Sequence, residues 1–211
     1  MAPTRSTSIG HKAAQTLYYA RQQAERLGLG LNVLVTINFA ATTIAQEDAT
    51  KAFGRLRLNH FNKWATRPRK GGGPACEPTY RYYFENARDR VAYEAIGEGE
   101  PHNVHVHWEV YVHPKRIHDF GNRLVEWLDQ IAGELSAANA VKVKPVSNGK
   151  GLRAYSLKGA NKRSADHFGA GYCQTPQGLI LGRRTGTSVN LGPSARIAMD
   201  RVLGIRRQRA A

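Results

Sequence analysis

Apolar and polar positions alternate most sharply over Val104 to His113, where Val104, Val106, Trp108, Val110 and Val112 interleave with His105, His107, Glu109, Tyr111 and His113. A period of two sends successive side chains to opposite sides, so this segment predicts a strand with one apolar and one histidine-rich face. Leu31 to Ala40 (LNVLVTINFA) is β-branched and apolar behind the breaker run Gly28-Leu29-Gly30, and predicts a buried first core strand. Tyr80 to Phe84 and Val91 to Ile96 predict two further strands in a meander or hairpin, and Val141 to Val146 alternates again.

Helical spacing appears in two long stretches. From Gln46 to about Arg67, Phe53, Leu56, Phe61 and Trp64 recur every three to five positions, with Glu47 and Asp48 suited to a helix start. Pro114 opens the second, whose apolar residues Ile117, Phe120, Leu124, Trp127, Leu128, Ile131 and Leu135 form a stripe that can pack across a sheet. Ser147 to Gly151 reads as a turn, Leu152 to Lys162 as a helix weakened by Gly159, and Gly169 to Gly186 as loop or β. Arg206, Arg207 and Arg209 end the chain in a basic tail.

Composition narrows the class of partner. A chain of 211 residues, 41% hydrophobic, fits one domain with a real core and excludes a second large one. Thirty-one Lys+Arg against 16 Asp+Glu give a net charge of +15, a field that attracts polyanions, so nucleic acid leads as the expected partner. Cys76 and Cys173 stand far apart without a C-x-x-C spacing, which argues against a disulfide framework or a thiolate zinc site and fits a cytoplasmic protein. The first ten residues are polar and no apolar run approaches membrane-spanning length, so secretion and membrane insertion are not expected.

The candidate chemistry begins with His105 and His107. Residues two apart on a strand share a face, with about 7 Å between their Cα atoms, which makes the pair a two-ligand clamp for a divalent ion. A third ligand is open between Glu94, on the preceding predicted strand, and His102. Tyr155 and Lys158, at i and i+3, would share a helix face, giving a nucleophile and a cation beside it. Eight histidines and nine tyrosines make H-x-H and Y-x-x-K common by chance, so their order and setting carry the weight.

That ordered set, LVTINF from Leu34, PHNVHVHWEVYV from Pro101 and LRAYSLKG from Leu152, resembles the HUH endonuclease superfamily, nearest to single-tyrosine rolling-circle replication initiators. The segments FNKWATRPRKG from Phe61 and KPVSNGKGLRAYSLK from Lys144 add to the likeness, which covers roughly residues 30 to 165. It implies an α+β fold of the ferredoxin-like or split βαβ kind, with an antiparallel central sheet of about five strands and helices packed on one face. A partly helical extension over residues 1–29, the endonuclease domain over 30–190 and a basic tail over 191–211 follow from it.

The activity implied is nicking and rejoining of single-stranded DNA at an origin hairpin. Tyr155 would keep the 5′ phosphate, with magnesium or manganese on His105 and His107 and host replication proteins as further partners. A mobilisation relaxase or single-strand transposase of the same superfamily, or a basic module that binds nucleic acid without cutting it, are the alternatives. Tyr172 lies beyond Gly169, so a two-tyrosine mechanism is not expected, and without a G-x-x-x-x-G-K-[ST] motif neither is a fused helicase.

Basic residues near glycine are the expected DNA contacts: Arg67, Arg69 and Lys70 before Gly71 to Gly73, Arg183 and Arg184 before Gly186, and Lys162 after the tyrosine motif. Trp64 and Trp108 fall on apolar faces and are expected in the core rather than stacked on bases.

Overall fold

The computed structural model describes residues 4–68, 73–86, 103–132, 140–146 and 150–205. As expected, the architecture is α+β around a five-stranded antiparallel sheet. Its strands are β2 (Val33–Asn38), β3 (Tyr80–Asn86), β4 (Val104–Val110), β5 (Val141–Pro145) and β7 (Thr185–Thr187), in the order β5-β2-β4-β3-β7. A small two-stranded sheet joins β1 (Arg5–Ser6) to β6 (Ile180–Leu181). The strand expected at Val91 to Ile96 lies outside the described residues.

Alternation in β2 and β4 decides what each face of the sheet becomes. Val33, Val35 and Ile37 join Val104, Val106, Trp108 and Val110 in the main core. Over them pack α2 (Ala49–Arg55), which continues through a π-helical turn (Leu56–Phe61) into α3 (Asn62–Ala65), and α4 (Ile117–Ala132). Trp108 is fully buried, with the rings of Phe53, Phe61 and Phe120 edge-on to it. Its truncation to alanine would cost about 3–5 kcal/mol. Trp64 also joins this core, its indole N–H donating to Asp119 Oδ2 at 2.8 Å.

The opposite face carries Arg81, Tyr83 and Glu85 of β3 and His105, His107 and Glu109 of β4. Helix α1 (His11–Arg26) covers part of this face, burying Ala14, Leu17, Ala20 and Arg21. The N-terminal extension is therefore docked on the body of the domain. So is much of the segment expected as a tail: α7 (Pro193–Val202) is tied to α1 by Arg26 and Asp200 at 2.8 Å, and Leu191 is buried with Ala20, Ala24 and Leu31.

One helix is shorter than its sequence suggests. Instead of running from Leu152 to Lys162, α5 spans Lys150–Tyr155, and a separate α6 spans Lys162–His167. Between them the backbone leaves the helix to pair with Ile9, whose N–H donates to the Gly159 carbonyl at 2.7 Å while its own carbonyl accepts from Asn161 at 3.1 Å. Gly159 suits this crossing, because a Cβ there would stand 2.8 Å from the Gln177 side chain.

Candidate functional site

Antiparallel pairing of β3 with β4 sets Glu85 opposite His105 and Tyr83 opposite His107, and β2 on the other side sets Thr36 opposite His107. One carboxylate and two imidazoles thus converge from adjacent strands. His105 Nε2 lies 3.0 Å and His107 Nε2 3.4 Å from Glu85 Oε2, and the three donor atoms all lie within 4.8 Å of one another. Glu85, His105 and His107 can hold a metal ion.

The donor chemistry fits a cation. His105 Nδ1 sits 3.2 Å from the Asn103 carbonyl oxygen, which can only accept, so Nδ1 donates and a neutral ring turns its Nε2 lone pair toward Glu85. A lone pair facing a carboxylate needs positive charge between or upon them. Thr36 holds the His107 ring through its hydroxyl, 3.1 Å from Nδ1, a contact in which either group can donate. Both His107 Nε2 and Glu85 Oε1 are buried without a hydrogen-bond partner, which leaves two donor atoms for an ion to satisfy. Burial pushes the Glu85 carboxyl up; where Nε2 of His105 and His107 carries a proton instead of facing an ion, the two rings and the charge of Lys158 outweigh burial and hold the group well below the usual carboxylate range.

Glu94 and His102, which the sequence offered as third ligand, lie outside the described residues, among which Glu85 is the carboxylate beside the histidine pair. The signal for it was the alternation of β3: Tyr80, Tyr82 and Phe84 face the core, so Glu85, one position past the expected strand end, falls on the histidine face. Arg81 was missed for the same reason.

Tyr155 and Lys158 arrive from a different part of the chain. Tyr155 ends α5, with its ring 5.7 Å from that of His107 and 38% of its surface exposed. Lys158 lies in the turn beyond rather than on the same helix, yet its N–H donates to the Tyr155 carbonyl at 3.0 Å and keeps the two adjacent. Its ammonium stands 5.2 Å from the centre of the Tyr155 ring and 3.7 Å from Glu85 Oε2.

What holds α5 to the sheet is a buried arginine. Arg81 donates through Nε to Glu109 Oε1 at 2.8 Å and through its other nitrogens to the carbonyls of Leu17 and Leu152 and to Ser156 Oγ. Arg21 of α1 closes on the other Glu109 oxygen and donates to the Leu31 carbonyl. The fully buried Glu109 is therefore flanked by two guanidinium groups, and one of these also binds the helix that presents Tyr155.

The expected DNA contacts divide. Arg67 and Arg183 are exposed, and Lys162 is exposed in a pair with Asp166. Arg69 and Lys70 lie outside the described residues. Arg184 is not a DNA contact: it is 4% exposed, and its guanidinium donates to the carbonyls of Ser6, Phe84, Gln177 and Gly178. Its two neighbours in sequence could not reveal this, because the carbonyls it satisfies come from three separate segments.

No family model matches the chain, and neither the curated proteins nor the solved structures give a significant match. Among the described residues no helix is long and apolar enough to cross a membrane.

Proposed function

We propose that this chain is a metal-dependent, tyrosine-type endonuclease of the HUH kind, which nicks single-stranded DNA to initiate rolling-circle replication of a plasmid or phage-like element. The observation that carries the reading is the convergence of Tyr155 and Lys158 on the Glu85, His105 and His107 cluster, across about fifty residues of intervening chain. Magnesium or manganese held by those three residues would supply Lewis-acid polarisation of the scissile phosphate.

The chain's own groups account for the remaining steps. The Tyr155 oxygen, its phenol proton released to water, attacks phosphorus and forms a 5′-phosphotyrosine as the bond to the 3′ oxygen breaks; that oxygen takes a proton from water and leaves as a hydroxyl. Lys158, beside the tyrosine ring, offsets negative charge that builds on the phosphate. Attack by a 3′ hydroxyl on the phosphotyrosine reverses the step and rejoins the strand. The basic surface would draw the strand in.

Incubation with a single-stranded origin oligonucleotide and manganese tests the reading. A covalent protein–DNA band is expected, and expected to vanish in Tyr155→Phe. A band that persists in that variant removes Tyr155 as nucleophile, and no band with any single-stranded substrate removes the activity.

A further inference from the structure

On the side of the sheet opposite His105 and His107, a cleft of about 270 Å³ opens beside Trp64 and Trp127. Its lining adds His60, Lys63, Arg67 and Arg123, and no carboxylate. We infer that this cleft binds the sugar-phosphate backbone of single-stranded DNA at a point remote from the tyrosine.

Three observations point to that ligand. The first is charge that no acid neutralises: Lys63 and Arg67, four positions apart, have no carboxylate within ion-pair distance among the described residues. Exposed Lys51 and Lys162 each have one, and Arg123, on the same rim, has two, Asp119 at 3.7 Å and Glu126 at 2.6 Å. The second is the floor, where the largely buried edges of Trp64 and Trp127, 8% and 7% exposed, offer an apolar surface with the His60 ring 6.0 Å from that of Trp127. Cations on the rim over aromatic carbon match the two halves of a nucleotide, phosphate outside and sugar or base within. The third is the wall itself, since His60 lies on the π-helical turn, Leu56–Phe61, a distortion that often marks a functional surface. Burial and the nearby Lys63 both disfavour a proton on His60, consistent with a site electropositive enough to want an anion. The cavity falls just below the range of about 300–1,000 Å³ usual for a whole small-molecule ligand, which suits one unit of a polymer passing through.

The inference does not rest on the nickase reading, because Tyr155 and the metal cluster take no part in it. The test uses the full chain without divalent ions, so that no cutting occurs, and oligothymidylate as the probe. Affinity is measured by fluorescence anisotropy over a range of salt in the wild type, in Lys63→Ala with Arg67→Ala, and in a control that loses the same charge elsewhere, Lys12→Ala with Lys51→Ala. Each single-strand phosphate contact contributes about 0.7 to the slope of log affinity on log salt. The cleft variant is therefore expected to lose at least about fivefold in affinity and about 1.4 in slope, with the control close to wild type. Tryptophan quenching by the oligonucleotide should weaken with it.

Equal slopes in the cleft and control variants overturn the inference. So does a poly-glutamate peptide that competes as well as DNA, since the surface would then accept any polyanion. A chain that shows the slope change but forms no covalent adduct keeps this cleft and loses the nickase reading.

Discussion

Glu85 stands directly across from His105 on the neighbouring strand, carboxylate to imidazole at 3.0 Å, with the His105 ring already held from behind by the Asn103 carbonyl. That pairing sets a carboxylate beside the two histidines, three groups that could hold a metal ion, and it comes from the alternation of β3 together with its register on β4. Glu85→Gln should keep the fold and weaken manganese binding by at least about 100-fold, beyond the effect typical of residues that only orient ligands. Glu94→Gln and His102→Ala should leave it intact. Isothermal titration of the four proteins checks this, and a loss in His102→Ala equal to that in Glu85→Gln would reassign the third ligand.

Under the proposed mechanism, Lys158 should affect a bound metal and the tyrosine in opposite senses. Its ammonium, 3.7 Å from Glu85 Oε2, repels a cation bound there. Lys158→Met is expected to bind manganese about three- to tenfold more tightly, which corresponds to roughly 1 kcal/mol of relieved repulsion in a partly solvated site. The same variant should form the covalent adduct about 100-fold more slowly, having lost a stabilising charge. Titration and single-turnover adduct assays on one preparation measure both.

The Arg21, Glu109 and Arg81 cluster holds the N-terminal helix, the sheet and the tyrosine helix together. Arg81→Ala leaves Glu109 with a single cation and should destabilise the fold by about 3–5 kcal/mol in urea unfolding. Replacing all three together by Leu, Leu and Met should cost less than the single change, since no charge is then left buried and unpaired. A triple variant as unstable as Arg81→Ala would show that the backbone bonds of Arg81, not its charge, carry the stability.

Alkaline stability should depend on Tyr83. Burial, then the charges of Glu109 and Glu85, push its phenol well above the usual value, while Arg81 opposes them, and its hydroxyl is buried without a partner. A group whose folded value is raised contributes stability that is complete below the unfolded value, near about 10, and is lost as pH rises past it. Thermal unfolding followed by circular dichroism should show stability declining from about pH 10 upward, with the decline reduced in Tyr83→Phe. At neutral pH that variant should match or exceed the wild type by up to about 1 kcal/mol, because an unpaired buried hydroxyl is removed.

Much of this arrangement can be read along the chain. The alternation of Val104 to Val112 placed both histidines on one face, and Pro114 with the stripe from Ile117 to Trp127 marked the covering helix. These features are local, and a period of two or of 3.6 specifies a face without reference to any other segment. Tyr155 and Lys158 were visible as a pair for the same reason, although the break after Tyr155 was not, because it is imposed by pairing with Ile9.

By itself, then, the sequence determined the central strands, the two long helical stretches after Gln46 and Pro114, and the residue types on the two faces of the histidine strand. Only the tertiary structure decided that Glu85 joins His105 and His107 in a cluster able to hold a metal ion, that Arg81 ties the tyrosine helix to Glu109, and that Arg184 is buried against carbonyls. Each depends on register or docking between segments tens of residues apart. The alternation of Tyr80, Tyr82 and Phe84 fixes which face Glu85 takes, but that it stands opposite His105 depends on the pairing of β3 with β4, which no residue near Glu85 specifies alone.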